Sequence, residues 1–436
     1  MRVSVLKSIH NPEKFKEQLL LWSQQHREII FLDSNSAYNY NQKYSSYDCI
    51  LAVDAFTSIK TDYYNAFEDL KQYQQTTRDW LFGYMAYDLK NDVEALQSNN
   101  FDGLNFPDLY FFQPKKIFLL KQNQLEVHYL NMCEDEIEQD FSEIITSQNW
   151  EVENESSVRI QQRVSKEKYL EKVSKMLEYI HRGDMYEANF CMEFFAENAE
   201  INPFEKFEKL SSISKAPFAV FLKNNKQFLL SASPERYLKK EGERLISQPI
   251  KGTAQRFLDP IEDEKSKTHL ASDPKERTEN IMITDLVRND LSRTAQQNSV
   301  QVEELCGIYS FLQVHQMIST ITSKLDFQYS VIEAIKNSFP MGSMTGAPKV
   351  SAMKIIEELE ETKRGLYSGA VGYFTPNGDF DFNVIIRSIL YNQENKYVSF
   401  SVGSAITAQS VPEKEYQECI LKAKAMSEVL SYYQKK

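Results

Sequence analysis

The sequence predicts an α+β fold in which antiparallel sheets carry helices on their periphery. The chain of 436 residues is 42% hydrophobic and 26% charged, an ordinary globular composition that can form a large core. Short β-rich runs separated by turn signals recur, and they form hairpins more often than they alternate with helices. No repeat of about 20 to 50 residues is visible, which excludes solenoids and propellers.

Residues 1–150 alternate short β-rich runs with polar helical patches. The β-rich runs are REIIFLDS, YDCILAVDAF, KKIFLLK and LEVHYL. A charged stretch from Cys133 to Arg159 follows, and its composition fits a helix and a linker. This stretch is the candidate boundary, so we divide the chain into residues 1–150 and 151–436.

Residues 151–436 carry three clear helix signals. Ser165 is typical of a helix N-cap and Gly183 of the position after a helix, so we predict a helix between them. Asp273 followed by Pro274 predicts the start of a second helix. A third helix is predicted over residues 412–430, at the end of the chain.

The same half contains strand and hairpin signals. An Asn-rich turn at 223–226 separates FAVFL from QFLLSA, and Asn-Gly at 377–378 separates two further β-rich runs. Both patterns predict hairpins. The runs YEANFCMEFF and VSFSVGSAIT predict two more strands.

The acidic composition narrows the possible partners. The chain has 62 acidic and 50 basic side chains, a formal net charge of −12. No broad positive field is available for nucleic acid or an anionic membrane, so neither is expected as a partner. An anionic ligand must then be held by a few local Lys and Arg residues.

The sequence favours a cytoplasmic protein with reduced cysteines. The N-terminal residues lack the apolar core of a secretory signal, and no uncharged apolar run approaches the roughly 20 residues that span a bilayer. The five cysteines are scattered, without a CxxC pair or a zinc-like cluster.

Carboxylates repeat on one face of two predicted helices. Glu276 and Glu279 are three residues apart, and Glu415, Glu418 and Lys422 form one stripe on the last helix. A solvated acidic face is the common explanation for such a pattern. Glu279 borders an apolar stretch, however. Carboxylates that converge from two helices repel one another unless a hard cation such as Mg²⁺ lies between them.

Two further residues are candidates for chemistry. Lys251 lies in the turn-like sequence PIKGT; such a lysine is usually a solvated charge, but in a dry pocket it can become a nucleophile. Glu235 follows an apolar strand in Ser-Pro-Glu. It either pairs with Arg236 or Lys239 in a loop, or is desolvated and serves as a general acid.

Nine motifs between residues 165 and 430 resemble, in order, those of the chorismate-binding enzymes. They are IHRGDMYEANF, LLSASPERYL, QPIKGTAQR, ERTENIMITDLVRNDLSR, VHQMIST, FPMGSMTGAPKVSAMKIIEELE, GLYSGAVGYF, NVIIRS and GSAITAQSVPEKEYQECILKAKAM. Looser matches are FLDSN at 31–35, where relatives bind tryptophan, and WLFGYMAYD at 80–88. The resemblance implies one α+β unit, an antiparallel β-sandwich ringed by helices, with residues 1–150 interlaced with the rest.

The resemblance also implies a role for individual residues. It assigns the metal glutamates to Glu279 and Glu418, with Glu415 close by, and Mg²⁺ as the cofactor. It assigns three catalytic residues, which are Lys251, Glu235 and His315. It assigns six residues to the substrate, which are Arg387, Lys422, Tyr373, Gly403, Thr253 and Glu187.

Two positions distinguish the branches of the family. Members that add water to chorismate have a lysine base where this chain has Glu187. Members that form anthranilate usually have PIAGT, whereas Lys251 of PIKGT matches those that form 4-amino-4-deoxychorismate. We therefore expect that product. Anthranilate formation is the alternative, and a noncatalytic chorismate-binding homologue is the second alternative.

The expected amination needs a source of ammonia. The chain contains no Gly-flanked cysteine nucleophile with a downstream histidine, so no fused glutaminase is expected. The resemblance implies a separate glutamine amidotransferase subunit or free ammonia. It also implies that a separate lyase converts the product to p-aminobenzoate for folate. The role of Glu187 stays open, because its carboxylate could keep Lys251 charged or could accept its proton.

Overall fold

A computed structural model describes residues 2–35, 44–147, 158–312 and 314–431. Its strands are β1 (Arg2–Ser8), β2 (Glu28–Asp33), β3 (Cys49–Thr61), β4 (Leu81–Met85), β5 (Leu109–Lys121), β6 (Gln124–Leu130), β7 (Gln161–Gln162), β8 (Glu187–Ala196), β9 (Phe218–Asn224), β10 (Gln227–Ser233), β11 (Arg236–Glu241), β12 (Arg244–Gln248), β13 (Ile250–Gln255), β14 (Gln301–Ser310), β15 (Val314–Lys324), β16 (Gly346–Ala347), β17 (Ala370–Phe374), β18 (Phe380–Val384), β19 (Ser388–Asn392) and β20 (Tyr397–Thr407). Its α-helices are α1 (Pro12–Ser23), α2 (Ala66–Thr77), α3 (Lys90–Val93), α4 (Ile137–Thr146), α5 (Lys166–Arg182), α6 (Pro203–Ser214), α7 (Pro260–Ser272), α8 (Pro274–Ser292), α9 (Val331–Ser338), α10 (Lys349–Leu359) and α11 (Pro412–Leu430).

The strands pair antiparallel and form two connected sheets. The first runs β1-β6-β5-β3-β2-β9-β10-β19-β20-β8, and β7 and β16 also pair with β8. The second runs β4-β17-β18-β11-β12-β15, and β13 and β14 both pair with β15. The two sheets join where β4 pairs with the first part of the long strand β5. This is the antiparallel α+β architecture that the sequence predicts.

The two sheets face each other across one apolar core. Ile30 and Leu222 of the first sheet belong to the same buried cluster as Phe82 and Phe382 of the second. On the opposite face of the first sheet, Ile29 and its neighbours pack with residues of α1, α5 and α11 in another cluster. Alternate residues of a strand point to opposite faces, so a strand buried on both faces reads as a continuous apolar run. The sandwich core and its surrounding helices are confirmed.

The local signals also agree with the structure. The Ser165 side chain accepts the Lys168 N–H at the start of α5, and Gly183 follows its end with φ of +90°. Asp273 caps α8 through the N–H groups of its first turn. All five cysteines are free and buried. Within the described ranges, none of the helices has the length and apolar character needed to cross a bilayer.

Strands from residues 1–150 pair with strands later in the chain, since β2 pairs with β9 and β4 with β17. The charged stretch predicted to hold a helix contains α4. The boundary predicted between residues 150 and 151 lies outside the described residues, so the division into two parts stays a prediction.

Candidate active site

Lys251 lies on β13 at a β-bulge that faces α8. The pairing of β13 with β15 shifts register between Ile250 and Thr253. Gly252, inside this shift, has φ of +101°, a conformation that favours glycine. From α8, Asn280 Nδ2 donates a 3.0 Å hydrogen bond to the Lys251 carbonyl. The bulge and this contact together fix the backbone of Lys251 beside the helix.

The ammonium group of Lys251 forms a buried ion pair with Glu187. Lys251 Nζ is 2.8 Å from Glu187 Oε1, and the Glu187 side chain is only 1% exposed. The other oxygen, Glu187 Oε2, has no hydrogen-bond partner in the parts of the chain that are described. Burial acts to lower the pKa of Lys251, but the charges of Glu187 and Glu279 outweigh burial and raise it. Lys251 is therefore held in its charged form, in contact with a carboxylate that can accept its proton.

Glu235 is a buried carboxyl in the connection between β10 and β11. It is 3% exposed, and its carbonyl accepts a 3.0 Å hydrogen bond from the Val384 N–H. It does not pair with its neighbour Arg236, which binds Asp381 instead. Burial raises the pKa of Glu235 to about 7, against the opposing charge of Lys251. A carboxyl with this pKa can donate a proton at neutral pH, as a general acid must.

Carboxylates from α8 and α11 lie around the side chain of Lys275. Lys275 Nζ is 3.7 Å from Glu279 Oε1 on its own helix and 3.7 Å from Glu415 Oε1 on α11. One turn further along α11, Glu418 pairs with Lys422 at 2.6 Å. Burial raises the pKa of Glu279 to about 7, although nearby lysines oppose this shift. The three glutamates predicted to bind metal thus lie in one region.

The side chains of these glutamates are of the type that binds a hard divalent cation. Carboxylate oxygens are the ligands that Mg²⁺ prefers, and Glu279 Oε1 is buried without a hydrogen-bond partner among the described residues. Within those residues, no three acidic, histidine or cysteine side chains lie together as a group that could hold a metal ion, so the metal site stays a prediction. The ammonium group of Lys275 contributes positive charge between Glu279 and Glu415.

Two predicted substrate-binding cations flank the same region. Arg387 lies between β18 and β19 with φ of +53°, which is uncommon for a residue with a side chain. Burial lowers the pKa of its guanidinium group, while the charges of Tyr367 and Glu418 oppose this effect. Lys422 Nζ donates a 2.8 Å hydrogen bond to the Gly403 carbonyl on β20. Both cations therefore lie near Glu418 of α11, and Lys422 also contacts the backbone of β20 at Gly403.

His315 lies on β15 and contacts residues of β14 and α7, and its catalytic role stays a prediction. Its Nε2 is 3.1 Å from Asp263 Oδ1 on α7, and its Nδ1 is 2.8 Å from Ser310 Oγ. The next residue, Gln316, is paired with Thr253 in the β13–β15 register. Gln316 is buried, and its Oε1 has no partner within the described ranges. Because side chains alternate along β15, His315 and Gln316 face opposite sides of the sheet.

Tyr373 lies in the second sheet, and its predicted place along the substrate stays a prediction. It lies within β17, opposite Phe82 of β4, and its ring packs against Trp80 and Phe82. Tyr367, which precedes the strand in the same GLYSGAVGY motif, is buried near Cys191 and interacts electrostatically with Arg387. The motif contains two tyrosines. The structure shows that Tyr367, which precedes β17, lies near Arg387, whereas Tyr373 lies within the strand.

A cavity of about 380 Å³ contains Tyr373 in its lining, together with Asp33, Ser34, Arg236 and Asp381. None of its lining residues belongs to the group formed by Lys251, Glu187 and the metal-site glutamates. The FLDSN segment therefore lines a cavity to which Lys251 and Glu187 do not contribute.

Comparisons with known proteins identify relatives over most of the chain. A family model described as chorismate binding enzyme matches residues 17–428. The chain is 40% identical to aminodeoxychorismate synthase component 1 of Escherichia coli (strain K12), over 59% of this chain and 56% of that protein. It is 34% identical to the chloroplastic aminodeoxychorismate synthase of Arabidopsis thaliana, over 82% of this chain and 41% of that protein. Matches to these two relatives thus span only 56% and 41% of their lengths.

Relatives with another product also match. The chain is 33% identical to anthranilate synthase component 1 of Thermus thermophilus, over 79% of this chain and 76% of that protein. The crystal structure of anthranilate synthase component I from Streptococcus pneumoniae has a TM-score of 0.78 at 25% identity, covering 87% of this chain and 91% of that one. The menaquinone-specific isochorismate synthase of Escherichia coli shares the fold, with a TM-score of 0.78 at 15% identity over 99% and 94% of the two chains.

Proposed function

This chain belongs to the chorismate-binding enzyme family, and on that premise we propose that it converts chorismate and ammonia to 4-amino-4-deoxychorismate. The observation that carries the proposal is Lys251 of PIKGT, whose side chain is only 11% exposed, pairs with Glu187 and feels the negative charge of Glu235. An amine nucleophile beside a proton acceptor and a carboxyl with a pKa near 7 is the set of groups that this reaction needs.

Chorismate is a dianion, and local cations are available to bind it. We assign its carboxylates to Arg387 and Lys422, with Tyr367 and the backbone at Gly403 beside them. We assign Mg²⁺ to Glu279 and Glu418, with Glu415 close by; when bound, it would neutralise charge on a substrate carboxylate. These few groups would let a protein of net charge −12 bind an anion.

The proposed reaction has two displacement steps. Lys251 gives its proton to Glu187, and its neutral amine then attacks ring carbon 2. The ring double bonds shift, and the 4-hydroxyl leaves as water with a proton from Glu235. Ammonia then adds at carbon 4 and gives a proton back to Glu235, the double bonds shift back, and the bond from carbon 2 to Lys251 breaks as its amine recovers the proton from Glu187. The sum is chorismate plus ammonia giving 4-amino-4-deoxychorismate plus water.

We propose that the ammonia comes from glutamine through a separate amidotransferase subunit in the cytoplasm. The name "component 1" of the relatives supports a second component. We further propose that the product passes to a separate lyase that forms p-aminobenzoate for folate biosynthesis. Free ammonium salts should replace the partner subunit in vitro.

The test is a product assay with chorismate, Mg²⁺ and ammonium. We expect p-aminobenzoate only when an aminodeoxychorismate lyase is added, and no fluorescent anthranilate without it. Lys251→Ala should reduce product formation by at least about 100-fold, the usual scale for a lost catalytic group. Lys226→Ala, a change in the exposed turn between β9 and β10, serves as the control.

Anthranilate synthesis is the second candidate, because anthranilate synthase components are among the relatives and solved structures that match. Anthranilate formed in the absence of lyase would replace the proposed activity with this one. Full aminodeoxychorismate formation by Lys251→Ala would leave the substrate assignment intact but would rule out the covalent step. No product in either assay would favour a noncatalytic chorismate-binding protein.

A further inference from the structure

Lys275 occupies an unusual position between the glutamates assigned to the metal. Its Nζ is equally far, 3.7 Å, from one oxygen of Glu279 and one of Glu415. The side chains of Glu279 and Glu415 are 10% and 3% exposed, whereas that of Lys275 is 42% exposed. Two buried carboxylates from different helices therefore share one partly exposed ammonium group.

The local sequence does not favour a lysine at this position. Lys275 is in the first turn of α8, where the Asp273 side chain caps the N–H groups of Lys275 and Glu276. The N-terminus of a helix carries a partial positive charge, so a cation in its first turn is unfavourable. A residue that breaks a local rule is often retained for a site, and here the compensating charge lies across the gap on α11.

The ammonium group also connects two helices that are otherwise separate in polar contacts. In the described part of the chain, Lys275 and Glu415 form the one ion pair between α8 and α11. The metal assigned to Glu279 and Glu418 would bridge the same two helices. Because a divalent cation and an ammonium group repel each other, both cannot approach the same carboxylate oxygens closely.

We propose that Lys275 is the counter-cation of Glu279 and Glu415 in the metal-free protein, and that a divalent cation must displace its ammonium group in order to bind. This inference rests on the proposed Mg²⁺ site. Its consequence is that Lys275 lowers the intrinsic affinity for metal while it keeps the two glutamates from repelling each other.

The experiment measures metal binding without substrate. Mn²⁺, which can be followed by electron paramagnetic resonance, is titrated into the full-length wild-type protein and into Lys275→Met. We expect Lys275→Met to bind Mn²⁺ at least about tenfold more tightly, because the competing charge is gone. Lys275→Arg keeps the charge and should stay within about twofold of wild type. If Lys275→Met does not fold, Lys275→Gln makes the same comparison.

The matched control is Lys267→Met on α7. Lys267 is 39% exposed and lies 3.7 Å from Glu264, so it reproduces the exposure and the pair distance of Lys275 away from the glutamates. Its removal changes the net charge equally and should leave Mn²⁺ affinity unchanged. In the Lys275→Met background, Glu279→Gln should abolish the tight binding, which locates the ion.

The outcomes separate this inference from the metal assignment. If Lys275→Met bound Mn²⁺ as tightly as wild type or more weakly, the role of Lys275 would be overturned and the metal site would stand. Equal gains in Lys275→Met and Lys267→Met would reduce the effect to net charge and would also overturn it. Absence of Mn²⁺ binding in both wild type and Lys275→Met would overturn the metal site, and the role of Lys275 with it.

Discussion

At the scale of single residues, the two groups proposed for catalysis differ in whether burial or a neighbouring charge determines the pKa. None of the cations among the described residues forms an ion pair with Glu235, so desolvation dominates and raises its pKa to about 7. Lys251 is also buried, but the carboxylate of Glu187 is in contact with it and keeps it charged. The structure thus contains a potential acid whose pKa is near neutral pH and a potential nucleophile that is protonated until it transfers its proton.

The raised pKa of Glu235 predicts how stability depends on pH. In the unfolded chain this carboxyl ionises near its ordinary pKa of 4.5, whereas in the folded protein it ionises near 7. The protonated form is therefore favoured by folding, and the stability it contributes is lost as pH rises from about 4.5 to about 7. Glu235→Gln removes the ionisation. At pH 8 we therefore expect its free energy of unfolding to exceed that of wild type by about 1–3 kcal/mol, whereas at pH 4.5 the two proteins should be equally stable.

Urea denaturation at the two pH values measures this difference. Glu241→Gln, at the exposed end of β11, is the matched control and should show no pH-dependent gain. The same Glu235→Gln protein should have lost most of its aminodeoxychorismate formation. A stability gain of equal size at both pH values would show that the effect is packing and not ionisation.

At the scale of secondary-structure elements, the site depends on close contact between β20 and β8. Gly403 lies opposite Cys191 in their register, and its carbonyl accepts the hydrogen bond of Lys422. A Cβ at Gly403 would come within 2.6 Å of Cys191 Sγ and 2.8 Å of the Phe190 carbonyl oxygen. In the same pairing, Glu187 at the start of β8 lies opposite Thr407.

Gly403→Ala should therefore destabilise the protein and weaken substrate binding together. We expect a loss of about 1–3 kcal/mol in the free energy of unfolding, the usual cost of an overpacked contact. We also expect a higher KM for chorismate, because the carbonyl that positions Lys422 must shift. Ser401→Ala on the same strand is the control for both measurements. A variant with wild-type stability and KM would contradict the proposed packing.

The elements themselves were largely predictable from sequence, whereas their mutual positions were not. Capping residues and hairpin turns are local signals, and Ser165, Asp273 and Gly378 act as their patterns indicate. The direction in which the side chains of Tyr373 and His315 point is harder to predict. Each lies in a strand, where a shift of one residue reverses the face that a side chain points to, and a motif match does not fix that face.

Long-range contacts set the rest of the site. The family resemblance brings Glu187 close to Lys251, but nothing local in GDMYEAN or PIKGT does so, since β8 and β13 belong to different sheets. The position of Lys275 is similar, because its partner Glu415 comes from the far end of the chain. Such pairs are determined by how the sheets and helices pack, and periodicity within one element carries no information about them.

At the scale of the whole molecule, residues 1–150 and the later residues share the same sheets and the same core. β2 lies between β3 and β9, and β4 lies between β5 and β17. Ile30 from the first part and Leu222 from the later part belong to one apolar cluster. Separation of the two parts would break both strand pairings and expose this core, so we expect the chain to unfold as one cooperative unit.

The tryptophans make this cooperativity measurable. All three lie in residues 1–150, so their fluorescence reports on that part, whereas far-ultraviolet circular dichroism reports on the whole chain. We expect both signals to have the same midpoint in urea. Ile30→Ala and Leu222→Ala, one in each part, should each cost about 2–5 kcal/mol and lower both midpoints together. If either variant moved one signal ahead of the other, the two parts would be independent units and the shared core would not be what stabilises them.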